Sequence, residues 1–307
     1  MKHYTTTKKG FTLIELLVVM SIIALLLSIL MPALGRARKE AMLVQDSTQV
    51  SALQKGFQIY TTSNNGRYPI PGLEARLSDI KGRGDENLEE NDHAAVLSLA
   101  IMQELFTVDN LIAPTEAADT VFQIDYYDFD GFEPNGSQGN WNLWDDSFVN
   151  DLDVASNNSY GIMPVSGKRK RYNWCASSHS PTTFAVVGTR GPELGEEDKF
   201  SKGYQLHGID REWMGPVAFG DGHTETLKTF APSSSTYIAT SGPEQDNIFL
   251  EEEDQEDNDY MPGGLELGQG ADVVLTHIKG GSEGDQGAEG DANDQGKGGG
   301  ANAFTHD

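Results

Sequence analysis

A chain of 307 residues is long enough for one or two domains with a real core. Its 47 acidic and 22 basic residues leave a net charge of −25, which argues against nucleic-acid binding through a basic face. Its single cysteine, Cys175, excludes an intrachain disulfide.

The chain begins with a short basic leader, then runs Lys8-Lys9-Gly10-Phe11-Thr12-Leu13-Ile14-Glu15-Leu16-Leu17. From Phe11 to Leu34 the only ionisable residue is Glu15. As a helix this run is about 36 Å long, enough to cross a hydrocarbon core of about 30 Å. A carboxylate inside it is costly and calls for a partner. An ordinary secretory signal, cut near Ala33-Leu34-Gly35, is the plain alternative. The apolar run is too long for it and contains Glu15. Lys2, Lys8 and Lys9 precede the run, while Arg36, Arg38 and Lys39 follow it, so charge leaves orientation open.

Leader, Gly-Phe junction, Thr-Leu-Ile-Glu and apolar run together resemble the N-terminal signal of type IV pilins and type II secretion pseudopilins. The resemblance implies a cut between Gly10 and Phe11 by a prepilin peptidase, methylation of Phe11, and a role for Glu15 in assembly. It also puts the leader on the cytoplasmic side. Pro32 stands where that family often has a helix-bending proline.

Beyond Pro32 the helix is expected to continue in water. Val50, Leu53, Phe57 and Tyr60 form an amphipathic stripe. Ser63-Asn64-Asn65-Gly66 is a stop signal, with Gly66 suited to a left-handed turn. Asn65-Gly66-Arg67-Tyr68-Pro69 looks like the corresponding loop of the major pseudopilin. Asp92 can cap a second helix from His93 to about Phe106, with Ala94, Leu97, Ile101 and Leu105 buried. Strands are expected at Val121–Tyr127, Ser159–Val165, Thr183–Gly188, Pro216–Phe219 and Thr224–Leu227, with a weaker one at Tyr237–Thr240. Gly220-Asp221-Gly222 reads as a hairpin turn. His207-Gly208 followed by Gly220-Asp221-Gly222-His223 is similar to the C-terminal His…Asp-Gly segment of a bacterial family with prepilin-type N-termini.

From Ser241 the composition changes. There are 17 acidic residues against Lys279 and Lys297, and residues 280–303 are rich in Gly, Asp, Glu and Gln. Such a tail buries too little apolar surface to fold, although Ala271–Ile278 is apolar enough for an added edge strand.

Asp125, Asp128 and Asp130 precede Gly131 and suit a hard cation such as calcium, though not with EF-hand spacing. A solvated acidic loop is the plainer account. Cys175, His179, His207 and His223 lack the paired spacing of a zinc set. Ser178-His179 comes without a nucleophile elbow. Trp141, Trp144, Trp174 and Trp213 read as core or interface aromatics. Lys168-Arg169-Lys170-Arg171 reads as an exposed basic loop or a contact to an acidic neighbour.

The expectation is an α+β chain in five parts. These are a leader (1–10), the transmembrane half of a long helix (11–34), its amphipathic half (35–63), an α+β head on a small antiparallel sheet (64–240), and a largely disordered acidic tail (241–307). The pilin-like resemblance implies a filament subunit rather than an enzyme. Its partners would be a prepilin peptidase, other pilin or pseudopilin subunits and the inner membrane, with the head periplasmic or extracellular. The alternatives are a membrane-anchored cation- or ligand-binding protein that does not polymerise and, last, an extracytoplasmic hydrolase.

Overall fold

The computed structural model describes residues 11–78, 80, 82–133, 142–166, 169–176, 184–192, 195, 201, 203, 207, 213–233, 235–239, 242–249, 275, 277–280 and 302–305. The leader and most of the tail beyond 249 lie outside the described residues, as does the expectation that the tail is disordered.

The chain divides into two compact units, Met1–Met42 and Leu43–Asp307. In the first, helix α1 (Leu13–Thr61) is apolar on every side from Leu13 to Leu34 apart from Glu15 in its first turn, and all of its large hydrophobic residues in that stretch are exposed. Pro32 sits inside this helix and has no N–H to offer the Ser28 carbonyl.

In the second unit the same helix becomes one-sided. Asp46, Val50, Leu53, Gln54, Gly56, Phe57 and Tyr60 are buried. The expected apolar stripe is there, but two polar residues and a glycine share it. Gly56 lets Phe106 close in, since a Cβ there would lie 2.6 Å from that ring. Phe57 meets Tyr68, Phe106 and Trp174 with ring centroids 5.3–5.9 Å apart. Asn65 and Gly66 both take positive φ, and the Gly66 N–H donates to the Thr61 carbonyl, ending α1 as the stop signal predicts. The Pro69 carbonyl then accepts from Trp174 Nε1 at 2.7 Å, tying the turn to the core.

A short helix, α2 (Pro71–Glu74), precedes α3 (His93–Met102). Asp92 caps α3 as expected, its Oδ1 accepting from the Ala95 N–H at 2.7 Å. The helix stops short of Phe106 because Glu104 adopts φ 56°. It is buried almost all round, from Ala95 to Ile101, rather than along one stripe.

Two-residue strands β1 (Asn150–Asp151) and β2 (Ala155–Ser156) pair with each other. The main sheet is antiparallel, ordered β3 (Tyr160–Ile162), β4 (Ala185–Thr189), β5 (Gly215–Phe219), β6 (Thr224–Leu227). The β5–β6 hairpin turns at Gly220-Asp221-Gly222, with Gly222 at φ 92°. The second half of α1 packs against this sheet; Gln54, for example, donates to the Phe219 carbonyl at 3.0 Å. The expected strand at Val121–Tyr127 does not form. Val121 makes one isolated bridge to Ser156, and Tyr127 is held by α3 instead of a ladder.

Beyond residue 240 the fold goes on. β7 (Thr236–Ala239) pairs with β8 (Gly242–Gln245), and β9 (His277–Gly280) pairs with β10 (Asn302–Thr305). Ile248, Phe249 and Leu275 join the main core. The apolar segment at 271–278 thus contributes Leu275 to the core, and its strand begins only at its end.

The head carries its own pH dependence. Burial, above all, pushes the Asp92 carboxyl up to about 7; the Ala95 N–H opposes this and Glu90 and Asp146 add to it. A raised carboxyl contributes stability that is fully present below its unfolded value, ~3.9, and is lost as pH rises through about 7. The unfolding temperature is therefore expected to fall between about pH 4 and pH 7 and to level off above that. Asp92→Asn keeps a capping side chain and should flatten that slope in a thermal melt.

Candidate functional site

Two places bring chemically distinctive side chains together: the first turn of α1 and a buried cluster beneath the sheet.

At the first turn, Thr12 caps the helix. Its N–H and Oγ1 both donate to Glu15 Oε2, at 2.9 and 2.8 Å, and the Glu15 N–H donates back to Thr12 Oγ1 at 3.2 Å. This is a capping box, which satisfies two backbone donors that an N-terminus otherwise leaves open. Glu15 therefore finds the partner it calls for within its own segment. Thr-x-x-Glu before an apolar run is the sequence signature of this motif. Phe11 is exposed just ahead of it, and Gly10 lies outside the described residues.

The buried cluster is built on Asp46, which is fully buried on α1. Its Oδ1 accepts from the Tyr160 hydroxyl of β3 at 2.5 Å. Its Oδ2 accepts from Thr189 Oγ1 at the end of β4 at 3.1 Å, and lies 2.5 Å from His207 Nε2. A carboxylate only accepts, so Nε2 carries the hydrogen. Gln49, one turn on, also accepts from Tyr160 at 3.2 Å. Burial and then the Asp46 charge push the Tyr160 hydroxyl well above its ordinary range. Elsewhere in the head, the buried Glu116 Oε1 accepts from Arg190 Nη2, next in the chain to Thr189, at 2.8 Å.

His207 is thus a structural partner of the N-terminal helix, apart from Asp221. Asp221 instead serves its own turn, where Oδ1 accepts from the His223 N–H at 3.1 Å and lies 2.5 Å from Nδ1. The His223 ring stacks on Phe219, with centroids 4.6 Å apart. Burial alone would raise the Asp221 carboxyl, but the hydrogen bonds and charge of His223 outweigh it and hold it below its ordinary value.

The other candidates are dispersed. Asp128 Oδ1 accepts from the N–H groups of Asp130 and Gly131 at 3.0 and 3.1 Å, while Asp125 and Asp130 are exposed. Among the described residues, no three His, Cys, Asp or Glu side chains are grouped to hold a metal ion. His179 and Trp141 lie outside the described residues. Trp144, Trp174 and Trp213 are buried, as expected. Of the basic run, Arg169 is buried and Lys170 Nζ pairs with Glu86 at 2.8 Å, whereas Arg171 is exposed and Lys168 lies outside the described residues.

Taken together, the described residues form one long apolar N-terminal helix, suited to anchoring in a membrane, and an α+β head. Residues 6–31 match the family described as the prokaryotic N-terminal methylation motif. The match takes in Gly10, Phe11 and Glu15, so the chain carries a prepilin-type signal, which implies a partner of the prepilin-peptidase type. No curated protein and no solved structure matches the chain.

The buried cluster makes a direct energetic prediction. Asp46→Ala strands three donors in the core and is expected to destabilise the head by about 3–5 kcal/mol. In a double-mutant cycle with His207→Ala, chemical denaturation should give a coupling above about 1 kcal/mol.

Proposed function

We propose that this protein is a pilin-like structural subunit. It is inserted in the bacterial inner membrane, cut after Gly10, methylated at Phe11, and assembled through α1 into a periplasmic or surface filament, as in type II secretion. On this reading its work is packing rather than catalysis. The observation that carries it is the match of residues 6–31 to the methylation motif, on a helix apolar on all sides and unburied through its first half. A lone anchor needs only the apolar run. The Gly-Phe junction and Glu15 are additional and fit processing followed by polymerisation.

In that assembly the new amino group at Phe11 is cationic even after one methylation. Pairing it with Glu15 of a neighbouring subunit would offset the burial cost of both charges and set the axial register. The capping box gives a way to separate this role from a local one.

Processing is tested first. The wild-type protein from its native membrane should begin at methylated Phe11 by mass spectrometry, and Gly10→Val should keep its leader. A wild-type product beginning near Arg36 would instead mean ordinary secretory cleavage.

Assembly is tested at the first turn. Glu15→Gln keeps a side chain able to complete the capping box but loses the charge. Thr12→Val keeps the charge and loses the cap, at a cost of about 1 kcal/mol to the helix end. Glu15→Gln should be cut normally yet be depleted from sheared filament fractions, while Thr12→Val should assemble. The reverse pattern would reduce Glu15 to a helix cap.

A further inference from the structure

The segment between Val121 and Glu133 is the least explained surface of the head. Phe122, Tyr126, Phe129 and Phe132 are exposed to 49, 69, 49 and 44 %. Large rings are costly to leave in water, and here four fall close together in the chain.

The backbone that presents them is pinned at four points. The Phe122 N–H donates to the Ser156 carbonyl at 2.9 Å, and the Tyr127 hydroxyl to the Ser98 carbonyl at 2.7 Å. The Asp128 N–H donates to Asp145 Oδ2 at 2.8 Å, and the Glu133 N–H to the Asn142 carbonyl at 2.8 Å. Tyr127 and Phe129 also pack ring against ring, 4.7 Å apart. The segment that carries the exposed rings is therefore held in place, which lowers the entropic cost of binding.

The stretch of chain that carries them has charge of one sign. From Ala94 to Gly167 the chain has 12 acidic residues and no Lys, Arg or His. Asp125, Asp130 and Glu133 are exposed among the rings and accept no hydrogen bond from the described residues. Two cations elsewhere in the head, Lys170 and Arg190, are already taken by Glu86 and Glu116.

We propose that the Phe122–Glu133 segment is a docking surface for an arginine-rich stretch of another protein. Aromatic faces attract guanidinium groups, which stack on them while hydrogen-bonding to neighbouring carboxylates. Rings and carboxylates alternate here as that double contact requires. A second copy of this chain is a poor occupant, because at net −25 it would meet its own charge. Nucleic acid and anionic lipid fail on the same ground. This surface is independent of whether the chain polymerises.

The test uses the full chain in a non-ionic detergent and a fluorescein-labelled peptide of Arg-Gly repeats, followed by fluorescence anisotropy. Binding should weaken with added salt, and be about tenfold weaker in both Tyr126→Ala/Phe132→Ala and Asp125→Asn/Asp130→Asn. Glu251→Gln/Glu252→Gln removes the same charge from the tail and should change affinity by less than about twofold. If the aromatic pair lowers the unfolding temperature, Tyr126→Leu gives the readout, since it keeps apolar bulk and removes the ring. Equal weakening by the tail pair, or full affinity in the aromatic variants, would reduce the effect to bulk charge and overturn the proposal. Binding of an uncharged oligosaccharide in place of the peptide would overturn it in favour of sugar recognition.

Discussion

The carboxylate of Asp46 is the constraint on which the head's arrangement rests. It is fully buried, and its two oxygens take hydrogen bonds from Tyr160, Thr189 and His207. A charge so placed is tolerable only if its acceptor sites are filled. Each donor comes from a different stretch of the chain, so filling them fixes where β3, the end of β4 and the His207 segment meet α1. Apolar packing alone would not be so particular. Val50, Leu53 and Phe57 could slide by a fraction of a turn and still be covered, whereas a carboxylate with three assigned donors could not.

Gln54 acts in the same way about two helical turns further along. Its Nε2 donates to the Tyr68 hydroxyl at 2.9 Å and to the Phe219 carbonyl at 3.0 Å. The helix is therefore keyed to the sheet by two polar residues on an otherwise apolar stripe, and Gly56 lets Phe106 approach between them and the helix end. Registry by buried polar groups, with affinity from apolar area, is a division seen where two elements must dock in one way only.

How far the sequence discloses this depends on the kind of signal. Val50, Leu53, Phe57 and Tyr60 are legible because apolar residues at three- and four-residue steps have no other simple meaning. Asp46 lies one turn before Val50 on the same stripe, but a charged residue there reads as solvent-facing until its donors are known. Those donors are 114, 143 and 161 residues away, and no local pattern links them. The His207…Asp221 segment is visible as a motif, yet the two residues do different jobs, one in the core and one in a turn. Val121–Tyr127 reads as a strand on composition alone. Its alternation fails in the middle, since Val121 and Tyr127 are buried but Gln123 and Asp125, which would share their face, are exposed, so no ladder gains from it. The capping box at Thr12 and Glu15 is fully legible in Thr-x-x-Glu. It is easily passed over, because a carboxylate in an apolar run draws attention to distant partners before near ones.

One continuous helix must satisfy three solvents in turn. From Leu13 to Leu34 it is apolar on every side and needs lipid or other helices around it. Arg36, Arg38, Lys39 and Glu40 are all exposed, and charges in that number belong in water or among lipid headgroups. From Asp46 onward one face is solvated by the protein itself. Each change falls within a few residues, so in a membrane anchor of this kind the sequence itself would set the depth of the helix. Sliding it inward would drag four charges into hydrocarbon; sliding it outward would expose apolar turns to water. Pro32 lies just before the first of these changes, and its missing N–H leaves the Ser28 carbonyl without its helical donor.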